Sequence, residues 1–282
     1  MSTACASPDP VARFAMTPRR RQFHHGETGE LVLSYYPAGH RMPEHAHDMD
    51  QRSIVLSGAL AEETPSCAAT PSASHLGFKA AGLRHENRYG PSGALILALN
   101  AVPEAEQEDG WRWAPTQSAA QIGALLSTLM RQPETPDGVV DDLLALMSAS
   151  PVVRESVAPF WVRQAREAVL ADPDAADLNT LADEAGVHRV SLSRAYSRYF
   201  NTPISLDRRR ARLGQAVQAL LERGASPADA AYEAGFADQP HFARTLKTQT
   251  GLTPRALMRV FADGAEPVSD VTNVQDQVSP SA

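Results

Sequence analysis

The strongest constraint on how this chain folds is a repeat between Asp177 and Met258. One copy, LNTLADEAGVHRVSLSRAYSRYFN, starts at Leu178; the other, SPADAAYEAGFADQPHFARTLKTQTG, starts at Ser226. Ala182 and Gly186 recur 49 residues later as Ala231 and Gly235, and Arg194 and Asn201 recur 50 residues later as Arg244 and Gly251. In each copy the first segment has helical apolar spacing: Leu178, Leu181, Ala182 and Ala185, then Pro227, Ala230, Ala231 and Ala234. Asp177 and Ser226 stand at N-cap positions, and Pro227 fits the first helical turn. A glycine then permits the positive-φ turn that breaks the helix. The second segment buries Leu192, Ala195, Tyr196 and Tyr199, or Phe242, Thr245 and Leu246, leaving polar residues and an arginine outside. Helix, glycine turn and a second helix with a polar face is the sequence form of a DNA-binding helix-turn-helix.

A single helical hairpin of this kind is more often a packing unit, but two copies in register joined by one helix-length connector are far more specific. From about Val157 to Arg259 the chain resembles the double helix-turn-helix domain of AraC/XylS-type bacterial transcription regulators. The resemblance rests on L-x-x-L-A-x-x-A-G-V, L-S-R, R-L-x-x-A, A-G-F-x-D, H-F-A-R and G-L-T-P. It implies recognition helices at about His188–Phe200 and Asp238–Thr250. It further implies that Arg189, Val190, Ser193 and Arg194 of the first, and Gln239, Pro240, His241 and Arg244 of the second, face DNA. Arginine can pair bidentately with guanine, glutamine with adenine, and valine can touch a thymine methyl. For Arg194 and Arg244 a role in salt bridges or phosphate contacts is the equal alternative. Three positions depart from the family pattern: Pro240 offers no donor, His188 replaces a serine cap, and Asn201 replaces a glycine that ends the helix.

The net charge of −7 argues against a nucleic-acid binder until its distribution is considered. Val157 to Phe261 carries 14 Lys/Arg against 11 Asp/Glu, whereas the remainder carries 12 against 22. A locally basic region suffices for phosphate contacts, and an acidic partner region limits nonspecific adhesion. At 282 residues the chain can hold two domains with sizeable cores. No apolar run approaches the roughly 18 residues needed to span a bilayer, and the N-terminus lacks the form of a secretory signal. Cys5 and Cys67, the only cysteines, form neither metal spacing nor a disulfide framework, which fits a reducing cytoplasm.

Before the repeat, residues 1–21 read as a mobile tail containing the run Arg19-Arg20-Arg21. Residues 22–113 then change to short β-like runs at Leu31–Tyr36, Arg52–Leu56, Leu76–Lys79 and Ala94–Asn100, separated by Gly/Pro turns. Gly39 is followed after five residues by His45-Ala46-His47, then by Gln51 and Gly58, and A-A-G-L-R-H ends at His85. From about Leu31 to Leu99 this resembles the two cupin motifs, with Gln51 where the acid usually lies and Ala80 where a proline is expected. The resemblance implies that His45, His47, Gln51 and His85 converge as a divalent-metal site. Two histidines at i and i+2 share a strand face, and imidazoles with an amide oxygen suit Zn²⁺, Fe²⁺ or Ni²⁺. The plainer alternative is a pocket for a small-molecule effector that inherits these histidines without metal. His24, His25, His40 and His75 lack such spacing and read as surface residues. Trp111 and Trp113 are expected to pack the outside of the barrel or close its mouth, with a pocket-lining role as the alternative.

Residues 114–156 read as a helical segment. Ala119, Ile122, Leu125, Leu126, Leu129 and Met130 form one stripe, and Val140, Leu143, Leu144 and Met147 another. These stripes pack on a core by default, and by resemblance they can instead mediate dimerisation. Residues 157–262 form the DNA-binding region, with a first helix at Pro159–Leu170 and a connector at Leu206–Glu222; residues 263–282 read as a disordered tail.

The expectation is therefore an α+β multidomain chain: an N-terminal cupin-like β-barrel followed by an all-α double helix-turn-helix domain. Its implied work is that of a ligand-responsive, cytoplasmic transcription regulator, an activator by resemblance. The expected partners are double-stranded DNA, a small-molecule effector, RNA polymerase and a second copy of the chain, with no membrane. No nucleophile stands beside a base, so no catalysis is expected; the alternative class is a metal-dependent cupin enzyme fused to a DNA-binding domain.

Overall fold

A computed structural model describes residues 17–26, 29–103, 110–131, 136–148, 158–262 and 266–267. Most of the expected N-terminal tail, with Cys5, residues 132–135 of the expected turn between the two apolar stripes, and the residues beyond 267 lie outside the described residues. The first half is antiparallel sheet: β1 (Arg19–Gly26), β2 (Gly29–Tyr36), β3 (Arg41–His45), β4 (Asp50–Glu63), β5 (Ala68–Ala69), β6 (His75–Lys79), β7 (His85–Ala101) and β8 (Trp111–Pro115). The strands run in the order β8-β6-β4-β7-β2-β1, with β3 also paired to β7 and β5 to β4. The long strands β4 and β7 bend together, and their register shifts between Val55 and Ser57 and again between Gly58 and Leu60. Such bulges increase twist and allow one sheet to curve back over itself.

The period of two sorts the side chains to opposite faces. Leu31, Leu33 and Tyr35 of β2, Ile54 and Leu56 of β4, and Leu95, Leu97 and Leu99 of β7 enter the main core with the helices. Val55, Leu60, Tyr89, Ala94, Ile96 and Trp113 gather on the other face, with Tyr36, Met42 and Trp111 against them. Trp113 is thus an interior residue rather than an outer one.

Two helices follow the sheet, α1 (Ala119–Arg131) and α2 (Pro136–Ser148). The remainder is helical: α3 (Phe160–Ala171), α4 (Leu178–Glu184), α5 (Arg189–Phe200), α6 (Ile204–Glu222), α7 (Pro227–Glu233), α8 (Gln239–Thr250) and α9 (Pro254–Ala262). The α+β class, the connector and both recognition helices fall where the sequence places them.

Three expectations are corrected. Arg19-Arg20-Arg21 is not tail but the start of β1, pairing with Tyr35, Ser34 and Leu33. Arg19 donates to the Leu221 carbonyl and Arg20 lies 3.6 Å from Glu30. Within the expected C-terminal tail, a two-residue strand β9 (Glu266–Pro267) pairs with Arg20 and Arg19. His75 is 2% exposed rather than a surface residue.

The helical half does not stand apart from the sheet. Leu213, Val217 and Leu220 of α6, Ala230 and Ala231 of α7, Phe242 and Leu246 of α8, and Leu257 of α9 share one cluster with the sheet leucines and with Ile122, Leu126 and Leu129 of α1. The first module keeps its own core: Val162 and Val169 of α3, Leu181 of α4, and Leu192, Tyr196 and Phe200 of α5. The second module is therefore anchored on the sheet domain, and the first is packed chiefly on itself.

Candidate DNA interface and imidazole site

Each module is assembled from local capping and one left-handed turn. Asp177 accepts a hydrogen bond from the Asn179 amide (3.0 Å) and Ser226 one from the Asp229 amide (3.2 Å). Gly186 and Gly235 turn the chain at φ +65° and +69°, a region that a Cβ disfavours. His188 does cap α5, its Nδ1 accepting from the Val190 amide at 3.3 Å. Asp238 caps α8 through the His241 amide at 2.6 Å. Asn201 ends α5 at φ +49°, in the left-handed conformation that asparagine tolerates.

These caps leave one face of each recognition helix outward. On α5, Arg189, Val190 (43%), Arg194 and Arg198 are exposed and Ser193 is half-buried. On α8, Gln239, Pro240, Arg244 and Lys247 are exposed. His241 is half-buried, its ring edge-on to Phe236 with centroids 5.4 Å apart, so it braces the turn as well as facing outward.

The connector is tied to the first module through a buried charge network. Asp207, 1% exposed, accepts from Tyr196 Oη at 2.9 Å and faces Arg210 at 3.3 Å and Arg166 at 3.8 Å. Arg166 continues to the sheet domain, donating to Ser72 Oγ at 3.0 Å and approaching His75 Nε2 at 3.5 Å. Burial, then the Asp207 charge, pushes the Tyr196 phenol well up. Of the connector arginines, Arg208 donates to the Pro173 carbonyl (2.9 Å) and Arg212 to Asp174 (2.6 Å). Arg209 is exposed, beside His241 and Gly235 in a cleft of about 200 Å³ between the connector and the second module.

The sheet domain brings His45, His47 and His85 together, with one ligand atom from each within 4.8 Å of the others. Their ring centroids are 4.2 Å (His45–His85) and 5.1 Å (His45–His47 and His47–His85) apart. His45 Nδ1 donates to the Pro43 carbonyl at 2.8 Å and His85 Nδ1 to the Leu83 carbonyl at 3.1 Å. Protons held on Nδ1 leave the Nε2 lone pairs for a ligand, which is how carbonyl partners orient metal-binding imidazoles. His85 Nε2 is buried with no hydrogen-bond partner. Burial, then Lys79, lowers His47 to about 2 and His85 to about 3, so both are neutral near pH 7. Neutral, converging imidazoles with preset tautomers fit a divalent transition metal.

The Gln51 amide nitrogen donates to Asn100 Oδ1 at 2.9 Å, and Asn100 in turn donates to Glu30 at 2.7 Å. The acid near the imidazoles is instead Glu62, fully buried. It accepts from Lys79 Nζ at 2.8 Å, from Trp113 Nε1 at 3.1 Å and from Trp111 Nε1. Burial alone would raise its carboxyl, but Lys79 and His85 hold it below the usual range. Its neighbours occupy both oxygens, so it neutralises Lys79 beside the site rather than offering a ligand. Sequence reasoning missed Glu62 because its partners at 79, 111 and 113 are brought to it only by strand pairing.

A family model described as a helix-turn-helix domain matches residues 181–259. Among solved structures, ToxT from Vibrio cholerae is 9% identical over 84% of this chain and 100% of its own, with a TM-score of 0.36. An RmlC-like cupin from Shewanella frigidimarina is 17% identical over 32% of this chain and 79% of its own, at 0.29. A cupin domain from Bordetella pertussis is 19% identical over 32% and 97%, at 0.28. No curated protein matches the chain. Among the described residues no helix is long and apolar enough to cross a membrane. With two capped modules, outward arginines and this match, residues 181–259 form a helix-turn-helix domain.

Proposed function

We propose that the chain controls transcription by seating α5 and α8 in successive major grooves, with Arg189, Val190, Ser193 and Arg194 and then Gln239, Pro240, His241 and Arg244 toward the bases. The observation that carries this reading is the matched pair of outward helix faces, joined by the single helix α6, whose Asp207 ties it to the first. Successive major grooves repeat every 34 Å or so along one face of B-DNA. One chain would therefore read a non-palindromic half-site of about two turns, and a homodimer would read repeated half-sites and recruit RNA polymerase there. A gel-shift series on phased half-sites tests this. Inserting about five base pairs between the two groove contacts should abolish tight binding, and indifference to the insertion would refute it.

The effector site in this reading is the imidazole cluster. When bound, a divalent metal there would supply a Lewis-acidic anchor for a small oxygen ligand, held by His45, His47 and His85. Signal transfer is a population shift: an effector that favours one docking of the helical half on the sheet changes DNA affinity by its differential affinity for the two arrangements. The buried groups beside the imidazoles, Glu62 and Lys79, are bound to each other, which favours sensing over catalysis.

A further inference from the structure

The sheet domain reaches the DNA-reading face of the second module. α1 crosses α8 so closely that a Cβ on Gly123 would lie 2.7 Å from the Gly251 backbone nitrogen. Over that crossing runs a groove of about 530 Å³ whose polar lining includes Ser127, Thr128 and Arg131 of α1 and Arg244, Lys247 and Thr248 of α8. No carboxylate lines it among the described residues. Arg131 hydrogen-bonds only within its own helix in the described contacts, to Ser127 Oγ (3.1 Å) and Thr128 Oγ1 (3.4 Å). Neither α1 nor α8 contains an acidic residue, although the chain outside residues 157–261 carries 22 acidic against 12 basic residues. Three cations and three hydroxyls thus line one groove without an acid, where an anion would relieve the repulsion among the cations.

We propose that this groove is a phosphate-binding site built jointly by the sheet domain and the second module, and that a backbone phosphate of DNA seated on α8 occupies it. The occupant rests on the DNA-binding reading above; the site does not. Arg244 belongs to both surfaces, so a duplex against α8 brings its phosphates to the mouth of the groove. Its α1 wall carries only small and hydroxyl side chains before Arg131, so nothing bulky keeps the backbone out. Arg131 is then a DNA contact from outside the helix-turn-helix domain, and it couples the docking of the sheet domain to DNA affinity.

The test titrates the full chain onto a duplex that it selects from a random pool, between about 50 and 200 mM salt, with a parallel calorimetric titration of pyrophosphate at constant ionic strength. Arg131→Ala should weaken duplex binding by about three- to tenfold at low salt and reduce the log–log salt slope by about one. Arg131→Lys should restore the slope. A slope unchanged in Arg131→Ala overturns the DNA assignment. Saturable pyrophosphate binding that Arg131→Ala abolishes, with the duplex slope unchanged, keeps the site and makes a free phosphate ester its occupant. If neither titration responds to Arg131→Ala, the site is refuted. A chain that selects no duplex refutes the regulator reading instead, and pyrophosphate alone then decides the groove. Arg131 is exposed at a helix end, and unchanged thermal unfolding of the variant confirms that the fold survives.

Discussion

Gly123 and Gly251 meet backbone to backbone, so the helix after the sheet is locked against the end of the second recognition helix. Gly251 also holds φ +77°, a conformation that closes α8 and that a side chain would strain. Gly123→Leu should force α1 away from α8 at a cost of about 1–3 kcal/mol. Thermal unfolding reads this as a fall of about 2–4 °C per kcal/mol for a chain of this size. An unchanged midpoint would show that the crossing bears no packing load.

The two modules differ in what supports them. The first has its own core and presents Arg189, Arg194 and Arg198 with no acid on α5, whereas the second begins with Asp238 and Pro240 and is anchored on the sheet. Arg194→Ala should therefore cost more DNA affinity than Arg244→Ala, at about 1–3 kcal/mol for loss of one bidentate base contact. A binding titration giving the reverse order rejects this ranking.

His75 makes acid stability a test of the joint between the halves. Burial, then the charge of Arg166, pushes its imidazole down to about 3. In the unfolded chain it takes a proton near pH 6.5. The folded state then binds fewer protons, so the contribution is complete above about pH 6.5 and is lost as pH falls toward 3. His75→Asn should flatten the dependence of the unfolding midpoint on pH in that window; a slope equal to wild type would rule out His75 as its source.

Metal binding separates the two uses of the imidazoles. Purified chain should take up about one Zn²⁺ or Ni²⁺ per chain, and His45→Ala/His47→Ala should lose it, because one imidazole cannot hold the ion. Gln51→Ala should keep it, since the three imidazoles that hold the ion remain. Metal analysis after dialysis decides, and retention by the double histidine variant would place the metal elsewhere.

Much of the candidate site was legible in the sequence because its information is local. Helix period, N-caps and turn glycines lie within a few residues of what they specify, and they located α4, α5, α7 and α8. The spacing H-x-H, with a third histidine after A-A-G-L-R, likewise marked imidazoles that converge: β3–β7 pairing sets His45 opposite His85, and His47 follows just past the end of β3. Charge partition between the halves was countable from composition. Less legible were Arg19 in β1, the burial of His75 and the bond of Gln51 to Asn100, since each depends on a partner far along the chain.

Those long-range matters are what tertiary structure alone decided. Two helix-turn-helix units and a histidine cluster follow from residue order, because backbone propensity and side-chain period act over one or two turns. That the second module shares the sheet's core while the first keeps its own follows only from which apolar faces meet. The same holds for Glu62 beneath its two tryptophans and for Arg131 beside Arg244. Burial and charge pairing reward proximity in space, and no local pattern encodes which distant segment will supply it.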